Sequence, residues 1–424
     1  MTVTANTADR MPWALLASLA LAYSLAFVDR AIVGLMMSDI SRDLGISREY
    51  TSLLVGTGFA LVYAVAGVLA AILLSRMHPR NTIALGIIVW SLATAACALA
   101  RGPDEFLLAR MLVGAGEATL VPAAYAWIPA RTPYHRVGIA IACFTVGVAV
   151  GSGLSLGIGG HLIQAISESL QNGVWLGLSS WRIILIALAI IGTPIALLVW
   201  RIDPAPVGYA ANDVRSPWPD LRAPAWLFLG CACVISTIYL QLFWAHNFFA
   251  EKFGMDLASS ALVVGIAVAL GAVGAIGGGI VGDRLARAAV VLPHVAMMIA
   301  MNILQIAMFL VAFLVPSVSI SVGAYMIAMA ANGAIGATMG PAISQIFPSD
   351  RRAVAASICL AAGTGLGLGV FMPLVGAIAR QLGIGIALLG GTTGLLVMSC
   401  AFLWSARAQR CPAPTSPAHS RTRV

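Results

Sequence analysis

Charge is what this sequence lacks most. Only 9% of its 424 residues are Asp, Glu, Lys or Arg, and lysine occurs once, at Lys252. A soluble domain carries about 25% charged residues, so a water-solvated globule is excluded. No Gly-rich loop of the Walker type occurs, which disfavours ATP-driven work. The seven cysteines (97, 143, 231, 233, 359, 400 and 411) give no disulfide framework, and all but Cys411 lie in apolar runs. Cys231 and Cys233 point to different sides of a helix, so no metal pair is expected; no cofactor is expected either. The net charge of +8 is scattered over short loops rather than gathered in a patch, so nucleic acid is not an expected partner. Met1 to Arg10 is polar and the apolar run after Pro12 is long enough to span, so no cleavable signal peptide is expected.

What the sequence has is apolar length. Hydrophobic residues make up 60% of it, and mean hydropathy is +0.95. Twelve runs each reach the ~20 residues a bilayer crossing needs: 12–38, 51–75, 82–100, 105–130, 137–166, 181–201, 223–250, 257–282, 290–315, 318–347, 353–379 and 383–406. This predicts an all-α membrane protein of twelve transmembrane helices. The longest polar interruption, 202–222, is rich in proline and divides six runs from six. The expected organisation is a short N-terminus (1–11), a six-helix bundle (12–201), a linker (202–222), a second six-helix bundle (223–407) and a disordered tail (408–424). With the termini cytoplasmic, sixteen Arg fall on the cytoplasmic side against six Arg or Lys outside, and Arg30 and Arg110 lie within the membrane. Positive charge favours the inner side, so a multi-pass protein of the cell (inner) membrane with both termini cytoplasmic is expected.

The two halves repeat. GAGEATLVPAA from Gly114 lines up with GAIGATMGPAI from Gly333, and Pro122 and Pro129 meet Pro341 and Pro348. In the next run Arg136, Cys143, Gly147, Gly151 and Gly160 meet Arg352, Cys359, Gly363, Gly367 and Gly376. Parallel halves of this kind are the plan of a transporter with its solute site at mid-depth between two pseudo-symmetric bundles. The repeat is asymmetric in charge: Glu117 meets Gly336 and Arg110 meets Met329.

Four ionisable groups interrupt the apolar runs. Arg110 and Glu117 are two helical turns apart on one face, ~10 Å along the axis. Gly114 and Gly116 beside them admit a close neighbour, helix or solute. Asp29 and Arg30 are adjacent in the first run, ~100° apart around the helix, so they are expected to address different neighbours. Ionisable groups at membrane depth face a polar interior, take partners and mark pathways; all four are expected on a common cavity. Arg holds its proton at any useful pH, which leaves Asp29 and Glu117 as proton carriers and Arg30 and Arg110 as their partners. The second half offers Gln241, Trp244, His246, Asn302 and Asn332 as candidate substrate-cavity residues, with Gln305 a further uncharged group.

These stretches carry a resemblance. VDR in the first run, RMLVGAGEATLVPAA in the fourth and GVAVGSGLSLGIGG in the fifth resemble the major facilitator superfamily. DLGISREYTSLLVGTGFALVYAVAG and VWSLATAACALA are similar to its spinster-like branch, as are Trp244 with FFAEKFGM, GDRLARA, FPSDRRAVAAS and GLGLGVFMPLVG. The similarity covers roughly residues 12–406. It implies proton-coupled secondary transport by alternating access, with Asp29 and Glu117 matching the proton-linked acids. It also implies an amphipathic or lipid-like solute such as a lysophospholipid or a sphingoid phosphate. Sugar-acid symporters of the same superfamily also carry DR and Glu at these places, so a proton-coupled symporter of a small organic anion is the second reading. A transport-inactive membrane sensor or scaffold is the third. None is an enzyme. The expected partners are the solute, protons and the bilayer, and the expected state is a monomer. The resemblance also implies a cytoplasmic gate at Ser75, Arg76, Asp283 and Arg284. Here the chain departs from the superfamily pattern: AILLSRMHPRN has Ser75 where an Asp is expected, whereas GIVGDRLARA keeps Asp283 and Arg284.

Overall fold

The computed structural model describes residues 11–46, 50–51, 53–74, 76–132, 136–169, 174–175, 178–202, 225–287, 292–347 and 352–408. The N-terminus to residue 10, most of the 202–222 linker and the tail from 409 lie outside them.

Among the described residues the long helices follow one another as twelve stretches, with a short helix, Met37–Asp43, after the first. α1 is Trp13–Leu35. α2 opens as a π-helix, Leu53–Gly58, and continues as Phe59–Leu73. α3 is Pro79–Leu99, and α4 is Pro103–Glu117 followed by Leu120–Arg131. α5 is Val137–Ser169 and α6 is Ser180–Trp200. The second half has α7 (Ala225–Phe253), α8 (Leu257–Arg287), α9 (Pro293–Leu314) and α10 (Val318–Ile346). α11 runs from Arg352–Leu366 through a π segment, Gly367–Phe371, to Met372–Leu382, and α12 is Ile384–Ala408. Eleven are long and apolar enough to cross a membrane by themselves; the shorter apolar stretch is in α2. A two-stranded hairpin, β1 (Val174–Trp175) with β2 (Leu178–Ser179), precedes α6.

The repeat read from the sequence reappears in the packing. In the first half α1 packs on α5, α2 on α4, and α3 on α4 and α6; in the second, α7 packs on α11, α8 on α10, and α9 on α10 and α12. The matched glycines explain the first of these pairs. Gly147 and Gly151 press on the α1 backbone at Ala20 and Ser24; Gly363 and Gly367 press on α7 at Ile235 and Ser236. Small residues let helix backbones approach where lipid supplies no hydrophobic drive between helices. Large apolar side chains such as Leu92 and Ile190 face outward, 67% and 66% exposed, as a lipid solvent requires.

Cations close matching helix ends. Arg182 donates to the Ala98 and Ala100 carbonyls at the end of α3, both at 2.7 Å. Lys252 donates to the Phe313 and Val315 carbonyls at the end of α9, both at 2.8 Å. Orphan carbonyls at a helix C-terminus need such partners, and a cation there also complements the helix dipole.

The halves meet along α5–α8 and α2–α11. Contact is tightest at the end opposite the termini. A Cβ at Gly265 would lie 2.8 Å from the Gly157 nitrogen, and one at Gly160 would lie 3.4 Å from the Ala258 Cα. On the other seam the two π segments touch: the Thr57 hydroxyl donates to the Gly369 carbonyl at 3.3 Å, and Gly56 faces the Leu368 carbonyl.

Candidate functional site

α4 breaks directly after Glu117. Pro122 has no N–H to give the Ala118 carbonyl and its ring crowds that carbonyl; the helix stops at Glu117 and resumes at Leu120. At the break the Thr119 hydroxyl donates to the Gly116 carbonyl at 2.8 Å. The glycines around the carboxylate admit helices: a Cβ at Gly116 would lie 2.7 Å from the Trp90 nitrogen of α3, and one at Gly114 would lie 2.8 Å from the Phe59 carbonyl of α2.

The four intramembrane charges meet in two cross-helix pairs. Arg30 Nε donates to Glu117 Oε2 at 2.6 Å, with Nη2 of the same guanidinium also 2.6 Å away. Arg110 Nη1 donates to Asp29 Oδ2 at 2.9 Å. All four residues are buried. The expectation that Asp29 and Arg30 address different neighbours is corrected: both reach α4. Two long guanidinium arms, one from each helix, cross the gap in opposite directions, so adjacency on α1 does not separate the partners. Phe27, Phe59 and Tyr63 lie 4.8–5.0 Å from the Arg30 guanidinium, and Phe59 also lies 5.3 Å from that of Arg110. Oδ1 of Asp29 and Oε1 of Glu117 are buried without a partner.

One arm of the cluster leaves its bundle. Arg30 Nη1 donates to the Tyr239 hydroxyl of α7 at 2.9 Å, and that hydroxyl lies 3.2 Å from Thr364 Oγ1 of α11. Tyr239 also lines a cavity of about 190 Å³ between the halves. Its wall runs from Tyr23, Phe27, Ser152 and Leu242 to Tyr125, Ile343 and Ala356 near the end that carries the termini. Among its lining residues there is no Asp, Glu, Lys, Arg or His.

The cluster therefore sits behind the cavity wall rather than on it, with Phe27 and Tyr239 touching both. Of the five substrate-cavity candidates, Asn332 lines this cavity. The others do not line it, and three of them tie the second bundle together. Gln241 donates to Thr392 at 2.8 Å, Asn302 to Ser399 at 2.9 Å, and Trp244 to the Met372 carbonyl at 3.2 Å. His246 is buried near the end of α7, and Gln305 donates to the Ala328 carbonyl. Of the gate candidates, Arg76 and Arg284 are exposed; Ser75 lies outside the described residues, as does the side chain of Asp283. Sequence reasoning missed Tyr239 and Thr364. A tyrosine and a threonine in apolar runs carry no signal until the helix faces are known.

The fold and the paired charges direct attention to known transporters. Residues 19–359 match the Major Facilitator Superfamily. The chain belongs to that superfamily. Its fold covers 94% of the chain and 96% of a bacterial homologue of the human lysosomal transporter Spinster, solved in an inward-facing, occupied conformation, with a TM-score of 0.68 and 25% identity. A proton:xylose symporter superposes with a TM-score of 0.72 at 13% identity, covering 92% of the chain and 95% of that protein; this is a likeness of fold. An MFS-type efflux pump of Mycolicibacterium smegmatis is 28% identical over 66% of the chain and 64% of its own length. The hexuronate transporter of Bacillus subtilis is 25% identical over 65% of each. The chain thus spans a little under two thirds of these relatives' length. As a superfamily member with these apolar helices, the protein is a multi-pass membrane protein.

Proposed function

We propose that the protein is a proton-coupled secondary transporter that works by alternating access and moves an amphipathic, lipid-like solute. The observation that carries the reading is the Arg30 side chain. It joins a buried carboxylate, Glu117, to Tyr239, a residue of the opposite bundle that lines the cavity. A proton on Glu117 removes the charge that holds Arg30 in place. Protonation in one bundle is thereby felt in the other, which is what coupling requires. Asp29 and Arg110 complete the proton-coupling set. The arginine bias supports a cell (inner) membrane location with cytoplasmic termini; on that orientation the close glycine contacts between the bundles lie toward the outer end.

The apolar cavity wall supports an amphipathic solute. The second reading, a small organic anion, is favoured by relatives such as the hexuronate transporter. An uptake and export screen in vesicles with an imposed pH gradient tests both. Accumulation of an amphipathic solute that is lost in Glu117→Gln is the expected result. Gradient-driven accumulation of sugar acids alone would replace the first reading by the second.

A further inference from the structure

The charge of the site limits what the cavity can hold. With both acids ionised, the Asp29, Arg30, Arg110 and Glu117 cluster is neutral; with Glu117 protonated it carries one net positive charge. The described cavity wall adds no charge of its own. A buried ion without a compensating partner costs several kcal/mol, so the occupant's charge must match what the cluster can supply.

Two polar groups on the wall stand out. The Tyr239 oxygen already accepts from Arg30, so its single proton goes to Thr364 or to an occupant. The guanidinium polarises that O–H, which strengthens it as a donor. Asn332 is 9% exposed, and its side-chain carbonyl is buried with no partner. Both face the same cavity from the second bundle, one on α7 and one on α10. Hydroxyls of Tyr23, Tyr125, Thr145 and Ser152 are the other polar groups, and the rest of the wall is apolar.

We propose that the cavity takes an apolar solute with a single hydrogen-bonding head group of at most one negative charge, which accepts from the Tyr239 hydroxyl and, where it carries an N–H or O–H, donates to the Asn332 carbonyl. When the head is anionic, the proton on Glu117 leaves Arg30 free to compensate it. The proposal rests on Glu117 as the proton site. The groups around Glu117 are Arg30 and Asp29 from α1, Tyr63 from α2 and Arg110 from its own helix, with Tyr239 of α7 across the Arg30 guanidinium, and among these only the carboxylates can take up a proton. A dianionic head would leave one charge uncompensated. A cationic head would meet no acid on the described wall. A polyhydroxylated sugar acid would lose more hydration than a few polar side chains on a largely apolar wall return.

Calorimetric titration of the purified protein with four matched probes tests this. The probes are naphthalene-2-carboxamide, naphthalene-2-carboxylate, naphthyl phosphate and a naphthylmethyl trimethylammonium salt, each run at mildly alkaline pH in buffers of different ionisation enthalpy. The carboxamide should bind without proton uptake and the carboxylate with uptake of one proton. The dianionic phosphate and the ammonium should bind about tenfold more weakly or worse. Glu117→Gln should bind the carboxylate with no proton uptake and keep its carboxamide affinity, which also shows that it is folded. Tyr239→Phe should weaken carboxamide and carboxylate about tenfold. Phosphate binding as tight as carboxylate, carboxylate binding without proton uptake in the unaltered protein, or no binding by carboxamide and carboxylate would each overturn the proposal. If Glu117-dependent, gradient-driven flux is found while naphthyl phosphate binds best, the transport reading stands and this one falls.

Discussion

Asp29 and Glu117 are both buried carboxylates, each held by one arginine, yet they are not equivalent. Arg110 binds Asp29 and makes its other close contact with Phe59 inside the first bundle. Arg30 binds Glu117 and also donates to Tyr239 of the second bundle. A change of charge at Glu117 therefore has a route across the molecule that a change at Asp29 lacks. Glu117→Gln keeps the size and removes titration; it should abolish pH-gradient-driven accumulation and leave gradient-independent exchange partly intact. Asp29→Asn should weaken coupling less. Flux in proteoliposomes, with binding measured separately, checks both. The identities of these four residues were legible in the sequence because charges in apolar runs are conspicuous. Their pairing was not, since it depends on how α1 and α4 are rotated about their axes and how far each guanidinium reaches. The same rotation decided the fate of Gln241 and Asn302: polar residues in an apolar run can face a cavity or tie neighbouring helices, and these two tie α7 and α9 to α12.

At the scale of the helix, close contacts set what can be changed. Gly116 has the α3 backbone against it, which no side-chain adjustment can relieve. Gly116→Ala should destabilise by about 1–3 kcal/mol through overpacking, read as a lower thermal midpoint of the purified protein. Gly265 closes the seam between α5 and α8 at the end away from the termini. Gly265→Val should hold that end apart at a similar cost of ~1–3 kcal/mol, shifting the population toward the state open there. Distances between spin labels at the exposed positions Asp104 and Ser317 would lengthen; unchanged distances would show that the seam is not a closure contact. At the other end the missing gate acid makes a complementary prediction. Ser75→Asp should favour closure there, and ~1.4 kcal/mol would change the ratio of states tenfold. Labels at Arg76 and Arg284 report it. The helices and their repeat were legible because apolar length and matched Gly, Pro and Arg positions are local signals. The break after Glu117 could be anticipated from Pro122, but the π turns in α2 and α11 have no such mark; they show only where the two segments lie against each other across the seam.

At the scale of the whole molecule, the structure is one arrangement of two similar bundles with a polar thread that starts in the first and ends in the second. The seams α5–α8 and α2–α11 are related by the repeat, and both are tight at the same end. A cavity lined by both bundles lies between them. The thread from Glu117 through Arg30 to Tyr239 and Thr364 is not duplicated by the repeat, because Gly336 stands where Glu117 would recur. On the proposed reading, the symmetry supplies two ends that open in turn, and the asymmetry supplies a single place where a proton biases the choice. The measurement that tests this most directly needs no substrate. Distance distributions between spin labels at 104 and 317, and between labels at 76 and 284, are recorded across mildly acidic to mildly alkaline pH in lipid nanodiscs. The account predicts that the two pairs change in opposite senses with pH and that Glu117→Gln holds one distribution throughout. A Glu117→Gln protein that keeps the pH response of the unaltered chain would contradict it.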